Sequence, residues 1–281
     1  PGFINLHTHL QYTNLKKYPD WCSNGFINWI IELIKQYFFW NQSKKTLSLQ
    51  NGIKESVLSG TTCIVQLSRE EEFINILKNS NIKSFIFLET FSNSEKTSEI
   101  EFEKIKQLIE KYSKQGNLMG IGVSPHSIYN VYADLWKKIS KYSLENDILV
   151  HTHLAESEAE LTWLKEGRSD IDLLHNFIRW EKLYPYETGL NPVEYLEKLG
   201  VLNKNLIIAH TNYLETNLYK KLADFNVKIV LCLRSNMLLH KKIPDIDKVI
   251  ESGILAGLGT DSKFSNYDLN ILKEAEYAKS Y

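Results

Sequence analysis

Short runs of apolar and β-branched residues alternate with amphipathic stretches from one end of the chain to the other. Strand-like runs fall at Phe3–Leu6, Thr61–Leu67, Ile82–Glu89, Leu118–Val123, Ile148–His153, Leu206–His210, Val227–Leu231 and Ile254–Gly259. Between them, apolar residues recur at three- and four-residue spacing. This predicts helices at Gly25–Tyr37, Leu47–Ser59, Glu70–Asn79, Ser98–Lys114, Ala133–Glu145, Pro192–Leu199, Thr216–Phe225, Ile246–Ser252 and Leu269–Lys279. Glycine directly follows two of them, in Lys198-Leu199-Gly200 and Glu251-Ser252-Gly253, and glycine tolerates the left-handed conformation at a helix end. Strand–helix alternation is the pattern of a parallel sheet, and eight such units predict an α/β protein with a (β/α)8 TIM-type barrel. The 281 residues suit one barrel domain spanning 1–281, since such barrels run to about 250 residues.

Polar residues that break the apolar pattern mark the chemistry. His7 and His9 open the chain two residues apart on a strand, so both imidazoles project to one side and can share a metal ion. At the end of the fifth strand stands His151-Thr152-His153-Leu154-Ala155-Glu156. There His153 is a further candidate ligand, and Glu156 is placed to reach water on the metal. The sixth strand ends at His210 and the eighth at Asp261. All of these lie at carboxyl ends of strands, where barrel active sites are assembled. Two long connections, Gln11–Gly25 and Glu158–Asn191, follow histidine-bearing strands and are expected on the same face, over a substrate. The second is rich in aromatics, Trp163, Trp180, Tyr184 and Tyr186.

Composition narrows the partners. A net charge of −1 argues against a polyanion-binding surface, and so against nucleic acid. Three cysteines, Cys22, Cys63 and Cys232, are far apart and form neither a disulfide framework nor a paired zinc motif, which fits a reduced, cytoplasmic protein. Asn28, Glu32, Lys35 and Gln36 interrupt the apolar stretch from Phe26 to Trp40, so no membrane span is expected. A first residue of proline rather than methionine is expected of a piece of a longer chain.

Six segments then occur in a characteristic order: PGFINLHTHL at 1–10, SPHSIY at 124–129, HLAESEAE at 153–160, AHTNYL at 209–214, RSN at 234–236 and GTDSKFSN at 259–266. In these the sequence resembles the amidohydrolase superfamily. The nearest branch is that of cytosine, guanine, S-adenosylhomocysteine and aminodeoxyfutalosine deaminases and triazine chlorohydrolases. The resemblance covers essentially the whole chain. It implies that His7, His9, His153 and Asp261 bind one divalent metal, zinc foremost, with iron or manganese as alternatives. It further implies that Glu156 moves protons, that His210 hydrogen-bonds the attacking water or the developing oxyanion, and that His126 and Ser265 contact substrate. Asp261 would also take a proton from the water. No lysine motif able to bridge a second metal follows the fourth strand.

The activity implied is hydrolytic deamination of an aminated nitrogen heterocycle, of purine, nucleoside or pyrimidine type, with metal-activated hydroxide attacking the amine-bearing ring carbon. The P-C-x-x-C ligands of the histidine/cysteine zinc deaminases are absent. A chlorohydrolase, or another amidohydrolase acting on a triazine-like ring or cyclic amide, is the rival enzyme. A non-catalytic metal-binding barrel is the rival of another class, and it is motivated by two departures. Leu231 stands where many relatives carry a seventh-strand histidine, and most of the family's accessory β-sandwich is expected to be missing. The resemblance also makes a homo-oligomer plausible. Outside the motifs, His151 reads as structural, His175 and His240 as surface residues, Cys232 as a buried apolar residue, and Glu101–Lys114 as a solvated helix face.

Overall fold

A computed structural model describes residues 2–18, 21–112, 119–180 and 188–281. Its centre is one parallel sheet of eight strands in sequential order: β1 Phe3–Thr8, β2 Thr61–Ser68, β3 Lys83–Thr90, β4 Gly120–Pro125, β5 Val150–Leu154, β6 Leu206–His210, β7 Lys228–Leu231 and β8 Leu255–Leu258. Helices surround it: α1 Phe26–Phe38, α2 Gln42–Leu58, α3 Glu71–Lys78, α4 Glu95–Tyr112, α5 Ala133–Asn146, α6 Glu158–Glu166, α7 Ile171–Phe177, α8 Pro192–Lys198, α9 Leu218–Asp224, α10 Leu233–His240, α11 Ile246–Glu251 and α12 Ile271–Ala278. The barrel and all eight expected strands are present. Leu118, where the fourth strand was expected to begin, and the end of the helix expected at 98–114 lie outside the described residues.

Period-two alternation divides the strands between two cores. Ile64, Ile86 and Leu88 face outward into the layer beneath the helices, against residues such as Phe73, Ile105 and Trp136. Val65, Leu67 and Phe87 turn inward and pack with Leu6, Phe85, Leu149 and Ile207, filling the barrel. The charge-rich stretch 101–112 is solvated on one side only, because Ile105, Leu108, Ile109 and Tyr112 of α4 are buried. Two segments differ from the pattern-based reading. The connection 158–191 contains α6 and α7, and α6 is capped by Ser157, whose hydroxyl accepts from Glu160 N–H, and by a left-handed Gly167. Helix α10 follows β7 directly, where the Arg234-Ser235-Asn236 segment held no helical expectation.

The ends of the sheet meet at a short seam. Thr8 and Asp261 form a parallel bridge, and Asp261 N–H donates to the His7 carbonyl at 3.0 Å. Beside it the Asn5 side chain does what a ladder would do: Nδ2 donates to Thr260 Oγ1 at 2.7 Å, and Oδ1 accepts from Thr260 N–H at 3.0 Å. Close approach here requires Gly259, since a Cβ at that position would lie 2.6 Å from His7 Cβ and 3.0 Å from His7 N. Gly259→Ala is therefore expected to push β1 and β8 apart and to cost about 1–3 kcal/mol of stability, read by denaturant unfolding. An unchanged midpoint would show that the seam is looser than this.

Candidate metal centre

Four imidazoles and a carboxylate converge at the carboxyl end of the barrel. His7 and His9 lie at the end of β1, their rings 5.0 Å apart. His9 Nε2 lies 3.2 Å from His153 Nε2, and the Asp261 Oδ1 atom lies 3.6 Å from His7 Nε2 and 3.8 Å from His9 Nε2. His210 joins them: the ligand atoms of His7, His153 and His210 lie within 4.8 Å of one another, as do those of His7, His9 and Asp261. All five side chains are buried.

The orientation of these groups tests whether they fit a cation. His153 Nδ1 meets the His126 carbonyl at 2.9 Å, which fixes the proton on Nδ1 and leaves Nε2 a bare lone pair. His210 Nδ1 is held in the same way by Asn236 Oδ1 at 2.9 Å. His7 Nε2 has no hydrogen-bond partner among the described residues. Burial first, and neighbouring imidazoles second, hold His9 and His153 well below the ordinary imidazole value, so both are neutral, as ligation requires. Burial alone would raise the Asp261 carboxyl, but His7, His210 and His9 outweigh it and keep it ionised. Ser235 and Ser265 hydroxyls donate to Asp261 Oδ2 at 2.7 and 2.6 Å, which leaves Oδ1 turned to the imidazoles. Lone pairs facing one another around a shared point, with His153, His210 and Asp261 each backed by a hydrogen bond, are what a divalent cation needs.

The backbone is bent to achieve this. Ala155, His210, Thr211 and Asp261 all have positive φ, between 52° and 74°, where β5, β6 and β8 leave the sheet. Such conformations are costly for residues other than glycine and persist where the surroundings enforce them. Glu160 is one enforcer, since its carboxylate accepts Ala155 N–H at 2.9 Å and Glu156 N–H at 3.0 Å. Glu156 itself is buried, and burial raises its carboxyl to about 7.

A cavity of about 310 Å³ opens above the cluster. His9, His126, His153, Glu156, His210 and Asp261 make its floor, and its walls are apolar: Phe26, Trp29 and Ile30 from α1, with Leu174, Ile178 and Trp180 from α7 and the residues after it. The cover expected from 11–25 is thus supplied mainly by α1, while the second connection does contribute. Trp163 is fully buried instead, and Tyr184 and Tyr186 lie outside the described residues. His126 lies at the cavity with its ring against Phe91, and Asn130 Nδ2 meets its Nδ1 at 2.9 Å. Ser265 is fully buried behind Asp261 and is not among the cavity's lining residues, whereas Ser262 is. His151 sits beneath the cluster, its Nε2 3.4 Å from His7 Nδ1.

Two histidines read as surface residues are corrected. His175 is 3 % exposed, its Nε2 meeting the Tyr129 carbonyl at 2.6 Å. The His240 side chain is only 4 % exposed, with Nε2 3.8 Å from Glu156 Oε1. Glu89, at the end of β3, is a cavity residue that no motif marks: it lies 4.0 Å from His9 Nδ1 and 3.9 Å from His126 Nε2. Its signal was a lone carboxylate closing an otherwise apolar run. Ser235 and Asn236 belonged to a recognised segment but had been given no role.

A barrel whose strand ends gather imidazoles and an aspartate defines a class, and the whole-chain comparison agrees: residues 1–279 match the amidohydrolase family, and the chain belongs to that family. It is similar to a 5-methylthioadenosine/S-adenosylhomocysteine deaminase of Bacillus cytotoxicus, 27% identical over 290 residues, covering 99% of this chain and 60% of the relative. Among solved structures, Helicobacter pylori aminofutalosine deaminase in complex with methylthio-coformycin superposes with a TM-score of 0.81 at 23% identity, covering 98% of this chain and 66% of that one. Atrazine chlorohydrolase from Arthrobacter aurescens complexed with zinc gives 0.81 at 18%, covering 99% and 63%. At those identities the structural likeness shows the fold alone. The chain spans about 60% of the length of the curated relatives it matches. No helix among the described residues is long and apolar enough to cross a membrane.

If the hydrogen bonds behind the cluster orient it for a cation, Ser235→Ala and Asn236→Ala should each weaken zinc binding roughly 10- to 100-fold, read by chelator competition. Equal affinity in both variants would show that the serine and asparagine do not serve the cluster.

Proposed function

We propose that the chain is a metal-dependent hydrolytic deaminase of an aminated nitrogen heterocycle, with an adenine-type nucleoside the leading substrate class. The observation that carries this reading is the Glu156 carboxyl beside the imidazole–aspartate cluster, on the floor of a cavity with apolar walls suited to a flat ring. The deaminase names of its relatives support the same class.

In this reading His7, His9, His153 and Asp261 hold one divalent cation, with zinc the first choice. Such a cation, when bound, lowers the pKa of water from 15.7 to about 7. The chain's own groups then divide the proton work. Asp261 Oδ1 receives a proton from the attacking water, because its other oxygen is occupied by Ser235 and Ser265. His210, with its Nδ1 proton committed to Asn236, presents a bare Nε2 and so orients water by accepting a hydrogen. Glu156 delivers its proton to the ring nitrogen beside the carbon under attack, the proton taken up by Asp261 passes to the departing amine, and the hydroxyl proton of the intermediate returns to Glu156 as the ring carbonyl forms. Ammonia leaves and a ring carbonyl remains. Apolar walls from α1 and α7 keep bulk water from the reacting carbon. His126 Nε2, with Nδ1 engaged by Asn130, is the ring-facing donor of the floor.

The metallated protein is expected to release ammonia from one or more members of a panel of adenine nucleosides, other aminopurines and aminopyrimidines. Chloride release from chlorotriazines in its place would favour the chlorohydrolase reading, and no turnover of any of these by fully metallated protein would overturn the enzyme reading. Glu156→Gln should keep the stoichiometric metal while losing roughly 10²- to 10⁴-fold in kcat. Loss of metal in that variant would instead make Glu156 part of the ligand set.

A further inference from the structure

The Glu156 carboxyl has an imidazole on each side. His210 Nε2 approaches Oε1 to 3.8 Å from β6, and His240 Nε2 approaches the same atom to 3.8 Å from the last residue of α10. His240 is held in place by apolar and aromatic neighbours. Its ring centroid lies 4.7 Å from that of Phe26 and 6.0 Å from that of Tyr213, the latter edge-on. The left-handed Lys241 closes α10 immediately afterwards, its N–H donating to the Met237 carbonyl. His240 Nε2 has no hydrogen-bond partner among the described residues. Leu231, at the end of β7, is buried and offers Glu156 no polar atom.

A polar ring nitrogen buried without a partner is costly, and a neutral imidazole has one N–H to place. Burial favours the neutral form of His240, lowering it to about 4. The Nε2–H tautomer gives that hydrogen a direction, toward Glu156, and a small rotation of either side chain closes 3.8 Å to bonding distance. His240 does not line the cavity above the metal cluster. It lines a separate one with Ser157, Glu158, Asp170 and Tyr213, and so reaches Glu156 from behind.

We propose that His240 is a positioning residue for Glu156: its Nε2–H fixes the carboxyl's orientation toward the imidazole–aspartate cluster without touching substrate. The proposal rests on Glu156 being the proton carrier. A residue acting in this way should move kcat and leave KM alone, and any side chain that puts a donor at the same place should substitute for it.

His240→Leu keeps the bulk and removes the donor, and is expected to lower kcat roughly 10- to 100-fold with KM little changed. His240→Gln, whose amide reaches as far as Nε2, should recover most of that loss. Wild-type kcat in the leucine variant, an effect confined to KM, or a glutamine variant no better than leucine would each overturn the proposal. A second measurement does not depend on turnover or on the His240 variants folding. In the metal-loaded wild-type protein, 15N-histidine NMR should show His240 protonated on Nε2, with a resonance that shifts on Glu156→Gln. A bare Nε2 or an indifferent resonance would sink the positioning role. A responsive resonance in a protein that hydrolyses nothing would leave the positioning intact and overturn the proposed function instead.

Discussion

The arrangement at the top of the barrel depends on one electrostatic constraint: imidazole nitrogens and a carboxylate oxygen are gathered in a dry space, close enough to share one positive charge. His9 and His153 nitrogens 3.2 Å apart, with Asp261 Oδ1 close by, would repel unless something positive is shared. Much of the surrounding hydrogen bonding exists to hold that arrangement. A carbonyl fixes the tautomer of His153, an asparagine that of His210, and two serines restrain one oxygen of Asp261. The left-handed turns at His210 and Asp261 are the backbone's share of the same constraint.

Above the floor the chemistry changes character. Its walls are mainly hydrocarbon and aromatic, drawn from α1 and from the segment around α7, which lie far apart in sequence and touch in space, with Arg69 and Asn130 also lining the cavity. Polar groups at the base and apolar groups at the mouth form the pattern that orients a flat, partly polar ring without binding its whole surface by hydrogen bonds. Glu89 sits where the two zones meet, a buried acceptor beside His9 and His126.

Strand positions and the convergence of the imidazole–aspartate cluster were legible because both follow from short-range rules. Period-two alternation places His7 and His9 on one side, and barrel geometry sends His153, His210 and Asp261 to the same end. The less legible residues act through contacts distant in sequence. Glu89 carries no motif, and only the pairing of β3 with β4 brings it beside His126. His240 looked isolated because its partner lies 84 positions earlier (240 − 156). Helices α6 and α7 are short, and only Ser157 and Glu160, at the spacing of a helix start, mark the first of them in the sequence. Ser265, expected against substrate, turns its hydroxyl to Asp261, because the tight loop after β8 folds it behind the carboxylate rather than above it.

The seam between the first strand and the last has a consequence for how the protein is made. His7 and His9 are synthesised some 250 residues ahead of Asp261, and ahead of the Asn5–Thr260 clasp that locks it beside them (261 − 9 = 252). A nascent chain therefore presents imidazoles long before it can complete their charge partner. The cluster is complete only when the barrel closes.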